Sequence, residues 1–185
     1  APSLRLCAAV EFTAVEGGAG ASFVMKAGES VDIVLDEEGD PPLDQAARDA
    51  LVVDVVAHWR NWARRSTYKG RWREDVTRSA LVLKLMTSRR HGSMVAAATF
   101  GLPEVLGGSR NWDYRSTWIR DASFTVYALM RLGYTEEAKA FTRWSAERPG
   151  HGPDGGQLRI MYALDGGEVQ AEVDLDHLAG YAGSQ

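Results

Sequence analysis

Apolar positions along the chain follow two different periods. Between Leu4 and Leu35, the runs LRLCAAVEF, ASFVMKA and SVDIVL are separated by EGGAG and AGES, whose glycines mark turns. The pattern predicts a small antiparallel meander over residues 1–38. Three strands without cover for their apolar face keep too little area from water to stand alone. They are therefore expected to be the last strands of a β-sandwich. After DEEGDPP, a polar, proline-marked boundary, the period becomes helical. Ala47, Leu51, Val55, His58, Trp59 and Trp62 fall three and four residues apart, on one stripe of a long helix. His58 on that stripe reads as a packing residue, since no second histidine stands at ligand spacing.

Three further helices follow in the pattern. WREDVTRSALVLKLMTSRR opens with acids and closes with arginines, matching the helix dipole at both ends. Its apolar residues run nearly all round, which predicts burial on most sides. DASFTVYALMRLG gives a helix ending at Gly133, and TEEAKAFTRWSAER another, with Thr135 as N-cap and Glu136 and Glu137 in its first turn. Two helices so closely joined make a helical hairpin. The remainder is glycine-rich, with one predicted strand at 158–163, and long ordered loops of this kind usually carry function. The loop-like close LAGYAGSQ and the uncovered helix faces lead us to expect a piece of a longer polypeptide.

Composition narrows the functional classes. With 45% hydrophobic residues in 185, the chain has the makings of a packed core. A net charge of −4, with basic and acidic residues interspersed, offers no field for nucleic acid. Cys7 stands alone, so no disulfide framework or cysteine metal cluster is available, and it reads as a small buried hydrophobe. No apolar run approaches the roughly 20 residues of a membrane span, and the opening lacks the layout of a signal peptide. A cytoplasmic location is expected. Asp174, Asp176 and His177 cluster near the end but do not complete a ligand set, so no metal or cofactor is assigned.

One stretch resists both a core and a surface reading. RNWDYRSTWIRDASF, residues 110–124, concentrates two tryptophans, a tyrosine, three arginines and two aspartates just before a helix. A core takes the rings without the charges, and a solvated face takes the charges without the rings. A partner polar on its edges and apolar on its faces would use both.

YKGRWREDVTRSALVLKLMT, HGSMVAAATFGLPE, GGSRNWDYRSTWIRDASFTVYALMRLGYTEEA and LDHLAGYAGSQ, in this order, resemble the glycoside hydrolases of family 15, the glucoamylase, glucodextranase and bacterial trehalase group. The resemblance implies a mixed, mainly α architecture. Residues 1–38 would be the last strands of an N-terminal β-sandwich, 39–70 a linker helix, and 71–185 the first helical hairpins of an (α/α)6 barrel. A pyranose has apolar faces and a rim of hydroxyls, so its pocket needs aromatic planes beside charged groups. By the family's motif, Arg120 and Asp121 grip hydroxyls of the innermost sugar, Tyr114 lies against its ring, and Trp118 shapes the same pocket. Each also has a plainer reading: Asp121 as a helix cap, Arg120 in an ion pair, the tryptophans as packing. Trp112 and Asp113 belong to the motif with structural roles at least as natural as contact.

The sequence departs from the family at Ala98, where proline is common, and at Ser116, where an aromatic is frequent. These departures bear on fine substrate choice. Family members invert the anomeric centre with a general acid and a general base set roughly 6.5–9.5 Å apart to admit water. Family order puts both glutamates beyond residue 185, and neither Glu104 nor Glu172 matches either one. Two functional classes follow. The first is part of an inverting α-glucoside hydrolase, inactive by itself, with an α-glucoside or oligosaccharide substrate. The second is a non-catalytic carbohydrate-binding or assembly fragment. In either case the expected protein partner is the remainder of the polypeptide or a self-associated copy, without nucleic acid or membrane.

Overall fold

The computed structural model describes residues 4–37, 43–99, 101–148, 158–169, 171, 173, 175 and 177–184. It is mostly helical with small antiparallel sheets, and it divides into two compact units, Ala1–Val56 and Ala57–Gln185. Residues 38–42 of the proline-marked boundary, the glycine-rich stretch 149–157, and Glu172, Asp174 and Asp176 lie outside the described residues. His177 is exposed.

In the first unit, β1 (Leu4–Ala8) pairs antiparallel with β4 (Ile33–Glu37), with Leu6 opposite Leu35 and Cys7 opposite Val34. Arg5 and Asp36 face one another across this ladder. Arg5 Nε donates to Asp36 Oδ1 at 3.0 Å and Nη2 to Oδ2 at 2.7 Å, a bidentate pair that pins the register. Between them, β2 (Thr13–Val15) and β3 (Gly18–Gly20) form a hairpin. The expected meander is thus corrected. ASFVMKA contains no strand, and Phe23, Val24 and Met25 are exposed. An alternating pattern describes a residue's readiness for a sheet; only a partner with free N–H and C=O groups makes it a strand. Cys7 is half-buried.

The long helix is present as α1 (Gln45–Ala63). Asp44 caps it: its Oδ1 accepts from the Ala47 N–H at 2.8 Å, and its carbonyl accepts from the Arg48 N–H at 3.0 Å. The predicted stripe is apolar but not buried along most of its length. Leu51 and Val55 are exposed, and of the helix's described residues only Trp62 is fully buried. His58 is exposed as well, its ring edge-on to Trp59 at 5.7 Å, so it is a surface residue rather than a packing one.

The core of the second unit is built from α2 (Arg73–Leu85), α3 (Ile119–Arg131), α4 (Thr135–Ala146) and the pair β5 (Thr117–Trp118) with β6 (Met161–Tyr162). Trp62 stacks on Tyr134 with centroids 3.9 Å apart and planes 6° from parallel, worth about 0.5–1.5 kcal/mol beyond the area removed from water. Tyr134 then donates its hydroxyl to the Ala63 carbonyl at 3.1 Å. Ala80, Met94, Ala122, Leu129, Phe141, Trp144 and Tyr162 complete the cluster. In α2 only Ala80 is fully buried, while Val82 and Leu85 are exposed. The prediction of burial on most sides is therefore not met among the described residues: α2 packs against α3 and is joined to α4 through Lys84 and Glu137, with Val82 and Leu85 left exposed.

The α3–α4 hairpin forms where the sequence places it. Gly133 has φ +91°, its N–H bonds the Met130 carbonyl at 3.0 Å, and the Tyr134 N–H bonds the Leu129 carbonyl at 2.9 Å. This is a Schellman close. A Cβ at Gly133 would stand 2.8 Å from Thr67 Cγ2, so both backbone and space select glycine. Because Tyr134 completes that turn, it also becomes the N-cap of α4, without a side-chain cap bond. Thr135 is the first helical residue instead of the cap, and Glu136 and Glu137 do occupy the first turn.

Candidate functional site

The aromatic and charged stretch enters α3 through an ordered loop. Asp113 and Arg115 form a two-residue clamp: Arg115 Nε donates to Asp113 Oδ1 at 3.0 Å, Nη2 to Oδ2 at 2.9 Å, and the Arg115 N–H to Oδ1 at 2.9 Å. Hydrogen bonds from Arg115 hold the Asp113 carboxyl below its ordinary range against a smaller opposing effect of burial. The same loop is braced from behind. The Ala97 N–H bonds the Tyr114 carbonyl at 2.8 Å, and the Ala96 N–H bonds that of Ser116 at 3.1 Å. VAA and YRS, two of the motifs read in the sequence, therefore lie side by side.

Tyr114 and Trp118 meet ring to ring, with centroids 5.4 Å apart and planes inclined by 30°. Trp118 donates Nε1 to the Asp113 carbonyl at 3.1 Å, which fixes the indole by its polar edge. Both residues are half-buried. Trp118 is also the N-cap of α3 with extended backbone angles, and the helix has no side-chain cap bond. Asp121 stands in the first turn, favourable for a carboxylate beside the helix's N–H groups, but it does not cap.

Arg120 and Asp121 are paired, with Nη2 and Oδ2 3.1 Å apart. The arginine side chain is 65% exposed and the aspartate 29%. Among the described residues the buried Asp121 Oδ2 has no hydrogen-bond partner, so the contact with Arg120 is a close approach of charges without hydrogen-bond geometry. The four candidate residues thus form two pairs on consecutive segments, rings from the loop and β5, charges from the first turn of α3. Thr117, buried between them in sequence, also leaves Oγ1 without a partner among the described residues.

Other residues of the stretch hold the loop. Trp112 donates Nε1 to Glu104 Oε1 at 2.8 Å, and the Glu104 N–H bonds the Arg110 carbonyl at 3.1 Å. Glu104 thus serves as a structural carboxylate that holds Trp112. The closing motif returns to this loop: buried Ser184 accepts the Gly107 N–H through Oγ at 3.0 Å. Nothing in the spacing announced that contact, which joins residues 77 positions apart.

Residues 70–185 match the family model described as glycosyl hydrolases family 15. The chain belongs to glycosyl hydrolases family 15. Among curated relatives, a trehalase of Thermoplasma acidophilum is 42% identical over 132 residues, covering 71% of this chain and 22% of the relative. A trehalase of Mycobacterium tuberculosis is 35% identical over 185 residues, covering 97% of this chain and 27% of the relative. A trehalase of Thermoplasma volcanium is 41% identical over 132 residues, covering 71% and 20%. The chain thus spans 22%, 27% and 20% of the length of these family 15 relatives. Comparison with solved structures gave no match.

Proposed function

We propose that this chain is the part of a family 15 α-glucoside hydrolase that holds the innermost sugar ring. Arg120 and Asp121 bind its hydroxyls, Tyr114 lies against its face, and Trp118 closes the side of the pocket. The observation that carries this reading is the Arg120–Asp121 pair, an exposed guanidinium 3.1 Å from a carboxylate whose side chain stays 29% exposed, just after the Tyr114–Trp118 ring pair. A sugar hydroxyl can donate to the carboxylate and accept from the guanidinium. Hydrogen bonds to charged groups contribute about 1.5–3 kcal/mol, so a bound hydroxyl gains energy as well as orientation. The trehalase names of the relatives make trehalose the first α-glucoside to test.

In this proposal the chain binds and orients while the proton transfers are made elsewhere. Inversion needs one carboxylic acid for the leaving oxygen and one carboxylate for water. In this reading both carboxyl groups are supplied by residues after 185. Residues 1–38 are assigned as the end of a β-sandwich, 39–70 as a linker, and 71–185 as the opening hairpins of an (α/α)6 barrel. The assignment as a non-catalytic binding fragment makes the same contacts but predicts no effect on turnover.

The test uses the complete polypeptide with 15N-labelled tryptophan and glucose, which is not turned over. The Trp118 indole resonance is expected to shift saturably. Arg120→Lys, which loses the planar fork of donors, is expected to raise the midpoint about tenfold. A Trp118 resonance indifferent to glucose overturns the site.

A further inference from the structure

Asp113 serves both aromatic rings of the site from one residue. Its carboxylate reaches forward past Tyr114: Oδ1 accepts the Arg115 N–H at 2.9 Å, an Asx turn with Tyr114 as its middle residue. Arg115 closes the turn with Nε to Oδ1 at 3.0 Å and Nη2 to Oδ2 at 2.9 Å. The Asp113 carbonyl accepts Trp118 Nε1 at 3.1 Å. One residue therefore fixes both the backbone that carries Tyr114 and the indole that the Tyr114 ring meets at 5.4 Å.

The other contacts of the loop act further along it. The Ala97 and Ala96 N–H groups hold the carbonyls of Tyr114 and Ser116, which locates the chain on either side of Arg115. At Gly101, with φ +88°, a Cβ would stand 3.0 Å from Tyr114 Cδ2, so the chain passes the ring where a side chain would crowd it. These contacts place Tyr114 and Ser116. The Asp113 carbonyl, and through it the indole, is set by the Asx turn and its clamp.

The clamp has little to offer as a stabiliser of the fold. The Arg115 and Asp113 side chains are 53% and 41% exposed, and ion pairs in water contribute little to stability. Orientation is a different matter. Two parallel N–H···O bonds from a planar guanidinium define one geometry, which a point charge does not.

We propose that Asp113, fastened by Arg115, is a positioning residue of the sugar pocket: it sets the angle between the Tyr114 and Trp118 rings and leaves the sugar contacts to them. This rests on the reading of those rings as sugar-facing, and one titration separates the two claims. In the complete polypeptide with 15N-labelled tryptophan, Trp118→Phe identifies the Trp118 indole resonance. In Arg115→Ala and in Asp113→Asn that resonance is expected to stand at a new position before sugar is added. Its glucose midpoint is expected to rise about fivefold, the worth of one hydrogen bond, with the melting temperature nearly unchanged. Both changes undo the same pair, so the double variant is expected to raise the midpoint no further. Arg115→Lys, a gentler change that keeps the cation and loses the fork, is expected to fall between the parent and Arg115→Ala. A midpoint equal to the parent's in Arg115→Ala and Arg115→Lys, whatever the melting temperature, overturns this inference and leaves the sugar reading standing. So does a rise of about 25-fold in the double variant, because independent contacts with the sugar add. A parent resonance indifferent to glucose overturns the sugar reading, and this inference with it.

Discussion

Glu137 joins three helices through one carboxylate. It accepts from Trp62 of α1, pairs with Lys84 of α2 and sits in the first turn of α4. Burial by itself pushes its carboxyl up, but the bonds from Lys84 and Trp62 outweigh it and hold the group below the ordinary value of 4.5. A depressed carboxylate contributes stability that is fully present above its unfolded value and is lost as pH falls through the folded one. Glu137→Gln is therefore expected to lower stability by about 1–3 kcal/mol at neutral pH, the range for hydrogen bonds to a charged group. In denaturant melts taken at successive pH values, the gap from the parent should narrow below about 4.5. A gap that widens toward acid would mean that Glu137 is held above its ordinary value, contrary to the bonds described. This network was not legible in the sequence. Trp62 and Glu137 are 75 positions apart, and periodicity reports which side of a helix is apolar without naming what it meets.

At the scale of elements, local signals were read well and partners poorly. The α3–α4 hairpin was legible because Gly133 and the acids after Thr135 act within a turn of themselves, through φ and the helix dipole. Gly133→Ala is accordingly expected to cost about 1–3 kcal/mol, from a strained φ and the collision with Thr67. A melting temperature equal to the parent's would show that the turn relaxes without cost. The sheet was less legible. β1 pairs with β4 across an intervening hairpin, a partner that alternation in either strand does not name, and the Arg5–Asp36 pair spans that ladder. At the site, the motif located Tyr114 and Trp118 together and Arg120 beside Asp121, but the Asp113–Arg115 clamp that orders the loop follows from side-chain geometry alone.

For the molecule as a whole, the described helices leave apolar residues uncovered. Phe124, Tyr127 and Met130 of α3 fall on one stripe and are exposed, as are Val82 and Leu85 of α2. At about 25 cal/mol per Å² of apolar surface, such stripes favour association. The 185-residue chain by itself is expected to form larger species as concentration rises in sedimentation equilibrium, and Phe124→Ser with Tyr127→Ser to reduce them. A monomer at all concentrations would show that these stripes do not drive association. The central claim, that Asp121 holds a sugar hydroxyl, is tested most directly in the complete enzyme by Asp121→Asn. This change keeps the shape and removes the charge. If the bond strengthens as the ring flattens toward an oxocarbenium-like state, kcat/KM on trehalose should fall at least about tenfold, or about 1.4 kcal/mol of transition-state stabilisation, with the melting temperature nearly unchanged. Unaltered turnover in Asp121→Asn would contradict the account and return Asp121 to an ordinary first-turn carboxylate.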